Sequence, residues 1–116
     1  MATAAADIAR IEGYHAHVYY DSASKDAAAA LCAAVEAHFD TTLGRWHDAP
    51  IGPHPCASYQ IAFGPEQFAT LVPWLALNRG ELDIFIHPLT DGDRADHTTH
   101  VIWLGRSHEL NLSVLR

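Results

Sequence analysis

A chain of 116 residues, 49% apolar and 18% charged, has the size and composition of one folded domain and excludes disorder. Fourteen acids against seven bases give a formal charge of −7, which leaves no basic footprint for nucleic acid. No apolar run approaches the ~20 residues that span a bilayer. The N-terminus lacks the basic and apolar stretches of a signal peptide, so a cytoplasmic location is expected.

Residues 1–12, small and aperiodic, read as a flexible leader, and 13–116 as a single domain. Tyr14 to Tyr20 (YHAHVYY) is rich in the β-branched and aromatic types of a strand. Alternation sends Tyr14, Ala16, Val18 and Tyr20 to one face and His15, His17 and Tyr19 to the other. Ser22 or Ser24 then caps a helix running to about Phe39, with Ala28, Leu31, Val35 and Phe39 as its apolar stripe. Leu43 to Asp48 reads as a short edge strand. Ala49 to Pro55 holds three prolines and is a stiff loop, with His54 clamped between Pro53 and Pro55.

Ala57 to Phe63 (ASYQIAF) is the next strand, with Ser58 and Gln60 opposite Tyr59 and Ile61. Pro65 opens a second helix, and Gly80 ends it. Leu82 to His87 (LDIFIH) follows, with Leu82, Ile84 and Ile86 on one face and Asp83, Phe85 and His87 on the other. Pro88 to Asp96 reads as a polar loop, and His100 to Leu104 as a last short strand. The order strand, helix, strand, strand, helix, strand is the split βαβ, ferredoxin-like pattern of an α+β fold. Two helices cover one face of an antiparallel sheet, and by analogy the strand order is 4-1-3-2.

That layout gathers polar groups on the face away from the helices. His15 and His17, at i and i+2, lie roughly 6.5–7 Å apart at Cα from a rise of ~3.3 Å per residue. The end of the fourth strand lies beside the start of the first, bringing His87 to them. Nine histidines, several-fold above ordinary usage, strengthen the case for a metal site at His15, His17 and His87. The plain alternative is a solvated sheet face on which histidine is tolerated. His54, rigid in its loop, is a candidate acid or base, and so is His97 beside Asp96. Cys32 and Cys56 lack metal or redox spacing and read as free thiols. GxSxG, Walker, GxGxxG and HExxH motifs are absent from the sequence.

Tyr14-His-Ala-His-Val-Tyr-Tyr-Asp21, Gly52-Pro-His-Pro55 with Ser58-Tyr-Gln-Ile-Ala-Phe63, His87-Pro-Leu-Thr90, Asp96-His-Thr98 and Trp103-Leu-Gly105 together resemble the DOPA 4,5-dioxygenase family, over about residues 13 to 110. The resemblance implies a dimeric ferredoxin-like enzyme that cleaves a catechol with O₂ at non-haem Fe(II). The family's histidine motifs map onto His15, His17, His54, His87 and His97, without dividing them into ligands and catalysts. In this reading His15, His17 and His87 hold the metal, and His54 or His97 moves protons. Tyr19, Gln60 and Phe85 are the candidate substrate contacts.

A usual Fe(II) oxygenase site has two histidines and a carboxylate. Asp83 lies at the far end of its strand from His87, and Asp21 and Asp96 sit at loop ends from which they could swing in. A three-histidine set is the alternative, and imidazoles also bind Zn²⁺ and Ni²⁺. The rival functional reading is a homodimeric module that binds a small molecule or metal without redox chemistry. A cofactor-free monooxygenase on the same fold is a third.

Overall fold

The central strand β1, Gly13–Tyr20, pairs antiparallel with β3, Ala57–Phe63, on one side and with β4, Asp83–Leu89, on the other. The coordinates are a computed structural model that describes residues 5–115. Two short strands close the edges: β2, Thr42–Leu43, beside β3, and β5, Ile102–Leu104, beside β4. The sheet order β2-β3-β1-β4-β5 is the expected 4-1-3-2 arrangement with a fifth strand added beyond the fourth.

The helices α1, Lys25–His38, and α2, Phe68–Asn78, lie on one face. Their Ala28, Leu31, Val35, Leu71 and Leu75 share a single core with Ala16, Val18, Tyr59, Ile61, Ile84 and Ile86. This is the apolar set that strand alternation assigns to the helix side. Its burial is the main favourable term for folding, at ~25 cal/mol per Å² of apolar surface. Tyr59 reaches through the core and donates its hydroxyl to the Ala28 carbonyl at 2.9 Å, so that its buried oxygen is satisfied. Gly80, at φ 59°, ends the α2 turn as expected of a glycine after a helix. Ser24 occupies the N-cap of α1, but its hydroxyl is bound to Asp21.

Two expectations need correction. The edge strand predicted over Leu43 to Asp48 is regular only to Leu43, and resumes as a lone bridge between His47 and Ser58. Leu43 pairs with Ile61 and His47 with Ser58, so four steps on one side oppose three on the other. That is a β-bulge, which reverses the side-chain parity of the edge. Leu43 and Trp46, three residues apart, therefore both pack on the core. Pro88 to Asp96 is also not all loop: β4 runs to Leu89, and a short helix α3, Asp93–Thr98, follows. Before β1, a 3₁₀ turn forms at Ile8–Arg10 and the Glu12 amide donates to the Leu89 carbonyl; residues 1–4 lie outside the described residues.

Leu71 is fully buried, whereas Leu77, on the same helix, is 86% exposed. L71A is expected to cost about 2–5 kcal/mol in urea denaturation, and L77A to stay within about 0.5 kcal/mol of the parent.

Candidate metal centre

The register of β1 against β4 sets His15 directly opposite His87, while His17 faces Phe85 on one neighbour and Gln60 on the other. All three histidines point away from the helices. One ring nitrogen from each of His15, His17 and His87 lies within 4.8 Å of the others, and the Nε2 atoms of His17 and His87 are 3.1 Å apart. Nitrogens bound ~2.1 Å from one ion sit roughly 3.0–3.5 Å from each other, so the His17–His87 pair is already at ligand spacing. Among the described residues no other group of three His, Cys, Asp or Glu side chains converges in this way.

The hydrogen bonds prepare these rings as ligands. His87 Nδ1–H donates to the Pro88 carbonyl at 2.9 Å. A carbonyl can only accept, so the proton is on Nδ1 and the neutral ring offers its Nε2 lone pair to the cluster. His17 and His87 are 6% and 1% exposed. Burial, reinforced by the neighbouring imidazoles, holds His17 well below the ordinary histidine pKa and His87 at about 4. Burial also lowers His15, with a contribution from His97. The cluster is uncharged at neutral pH, the state that binds a cation.

Two further histidines flank it. The His54 ring lies 4.1 Å from that of His17, and its Nδ1 shares a 2.8 Å hydrogen bond with the Tyr19 hydroxyl. Burial lowers its pKa to about 4, with His97 and His47 adding to the effect. On the other side the His97 ring lies 4.0 Å from His87, and its Nδ1–H donates to the Asp93 carbonyl one helical turn earlier. The five motif histidines thus form one continuous group. The helix that carries His97 could have been found from Gly92 followed by Asp93 and Asp96, an acidic first turn.

Beneath the rings lies Phe85, fully buried and stacked on Trp103 at 4.7 Å. Tyr19 is buried with it, edge-on to His108. Gln60 is more accessible and lines a cavity of about 240 Å³ together with His17, His54, Arg45 and His47.

The carboxylates considered as ligands are all engaged elsewhere. Asp21 bonds to Ser24, and Asp83 accepts from the Arg106 amide and His108 Nε2. Asp96 is buried and accepts from both the amide and hydroxyl of Thr90, which pins the start of α3. Burial alone would raise the pKa of Asp83 and Asp96, but these bonds outweigh it and keep both below the ordinary carboxylate value. The C-terminal segment closes the site from outside: Asn111 donates to the Pro53 carbonyl beside His54, and Arg94 of α3 donates to Leu112. No described helix is long and apolar enough to cross a membrane.

Known proteins are similar to this chain. A crystal structure of a provisionally assigned dioxygenase from Nostoc punctiforme superposes with a TM-score of 0.94 at 49% identity, covering 95% of this chain and 96% of that one. A DOPA 4,5-dioxygenase of Amanita muscaria is 38% identical over 114 residues, which cover 90% of this chain and 50% of the fungal protein. An uncharacterized 21.2 kDa protein of Botryotinia fuckeliana is 33% identical over 115 residues, covering 89% of this chain and 63% of its own. The chain thus spans about half to three-fifths of the length of these curated relatives. The profile of the Dopa 4,5-dioxygenase family matches residues 14–114, all five clustered histidines included, and the chain belongs to that family.

Proposed function

We propose that the protein is an extradiol ring-cleaving dioxygenase: it opens a small catechol with O₂, using Fe(II) held by His15, His17 and His87. The observation that carries this reading is the convergence of three neutral imidazoles, two buried and one half-buried, on the sheet face of a chain in this family. A nitrogen-only donor set suits Fe(II), and Zn²⁺ or Ni²⁺ by the same chemistry. Bound there, Fe(II) would supply a Lewis acid for the catechol oxygens and an electron donor for O₂.

The remaining work falls to the chain's own side chains. His17 and His54 both face the cavity, so a catechol bound there meets a ligand ring and a free imidazole at once. His54 takes the hydroxyl proton. The Tyr19 hydroxyl can either donate to or accept from His54 Nδ1, so His54 can hold or release a proton at Nε2 without leaving its place. His97, with Nδ1 committed to Asp93, has a lone pair at Nε2 for a second transfer. Gln60 offers an amide to the substrate from the cavity wall. Phe85 and Tyr19 make the apolar floor, excluding water from the reacting face.

The test is protein purified without a histidine tag, loaded with Fe(II) in the absence of oxygen and then mixed in air with a panel of catechols. A yellow ring-opened product carrying both oxygen atoms is expected, and iron bound without such a product from any catechol overturns the reading. H17Q and H87Q should lose the iron, as measured by metal content. H54Q should keep it while the rate falls about 10²–10⁴-fold, the usual range for loss of a proton-transfer group. A protein that takes up no iron at all would favour the non-redox binding module.

The depressed histidine pKa values also set a pH dependence. Unfolded histidine titrates near ~6.5, whereas His54 and His87 titrate at about 4 in the fold. The unfolded state therefore binds more protons between these values. The metal-free protein should hold its full stability above about pH 6.5 and lose it progressively as the pH falls toward 4. Urea titrations across that window should show a smaller loss for H54Q than for the parent.

A further inference from the structure

The cavity beside His17 and His54 has a charged mouth. The bulge between Leu43 and His47 turns Arg45 and His47 toward it, while Leu43 and Trp46 go to the core. Gly44 lets this segment lie close on β3: its amide donates to the Gln60 carbonyl at 2.7 Å, and a Cβ there would stand 3.1 Å from Gln60 Cβ. Trp46, stacked on Tyr59 at 4.3 Å, fixes the next residue. Arg45 is thus presented by a backbone held on both sides.

Among the described residues, every other Lys or Arg has a partner within the protein. Arg10 pairs with Asp91, Lys25 with Asp48 and Arg106 with Asp83, while Arg79 and Arg94 donate to carbonyls. Arg45 has neither an ion pair nor a side-chain hydrogen bond to any described residue. The acid nearest in sequence, Asp48, is occupied by Lys25 and the Tyr20 hydroxyl. In a protein of net charge −7, one unpaired guanidinium at the entrance to a cavity is a place where an anion gains and a cation loses.

We propose that Arg45 determines substrate specificity by binding an anionic side chain, such as a carboxylate, on the ring that is cleaved. Guanidinium matches a carboxylate in a two-pronged bond that lysine cannot reproduce. The catechol ring then lies inward against His17 and His54, and the acid lies at the mouth between Arg45 and Gln60. The proposal rests on the ring-cleaving reading of the histidine centre, and deepens it by naming the substrate class.

The test uses three catechols with the same ring: 4-methylcatechol, 3,4-dihydroxyphenylacetate and 3,4-dihydroxyphenylethylamine. Binding to the metal-loaded protein is measured by calorimetry without oxygen, and initial rates are then measured in air. The parent should favour the acid over the neutral catechol by about tenfold in Kd and in kcat/KM at low salt, the scale of one charge-assisted bond. This advantage should shrink as ionic strength rises, because Arg45 is exposed. In R45Q the preference should fall to within about twofold and lose its salt dependence, and R45E should invert the order in favour of the amine. Circular dichroism confirms that the variants are folded.

A parent that discriminates less than twofold, or an R45Q variant that keeps the parent's preference, overturns the assignment of Arg45. If the iron-loaded parent opens 4-methylcatechol but shows no charge preference, the assignment fails and the ring-cleaving reading stands. If it binds and opens no catechol, both fail.

Discussion

The pairing of β1 with β4 is the constraint on which the rest depends. It sets His15 against His87 and leaves His17 one pleat further along the same face. A slip of one residue would send His87 into the helix-side core and bring Ile86 or Pro88 out in its place, since neighbouring side chains alternate between faces. The register is protected by the face that does no chemistry. Ala16, Val18, Ile84 and Ile86 are all completely buried against α1 and α2, so any slip would expose them. The geometry of the metal centre is therefore secured by hydrophobic burial on the reverse of the sheet.

Burying His17, His54 and His87 together, with His15 and His97 half-covered beside them, works against folding, because the buried rings lose hydration and their charged forms are disfavoured. The structure reduces the cost by giving the rings specific partners: Pro88 for His87, Tyr19 for His54, Asp93 for His97. His17 is left with a neighbouring nitrogen, His87 Nε2, as its partner. Because His87 has its proton on Nδ1, His17 must supply the hydrogen in that contact. A cation would displace this hydrogen and take the lone pairs of both nitrogens, which neutral imidazoles can offer without first losing a charge. A cluster this crowded and this neutral makes better physical sense as a ligand set than as a solvated polar surface.

The parts of this design that were legible in the sequence are those governed by strand alternation. The helix-side set from Tyr14 to Ile86 and the opposing histidines follow from a period of two, together with one choice of topology. What escaped was local irregularity. The segment Leu43 to Asp48 holds Gly44, a residue that favours a bulge within a strand, but a lone glycine does not say which side chains change face. Its extra residue is defined only by how Trp46 and Leu43 both find the core. Helix α3 is too short for an apolar stripe to reveal it, and its Asp96 is buried by Thr90 rather than exposed as a charged loop residue. The same bonds commit the Asp96 carboxylate to Thr90, which residue type alone could not decide.

These two irregular pieces have a common role. The regular sheet places only side chains that project at right angles to it, and around this point its histidines are His15, His17 and His87. Groups that must approach from the side come from segments that break the pattern: the proline loop with His54, α3 with His97, and the bulged edge with Arg45 and His47. The C-terminal segment bonds to Pro53 and is gripped by Arg94, linking the first two of these pieces across the site. Gly105, at φ 86°, turns the chain so that the Arg106 amide and His108 reach Asp83 and start that segment in the right direction. Asp83, at the far end of its strand from His87, anchors the strap that joins the two flanking histidines to the sheet.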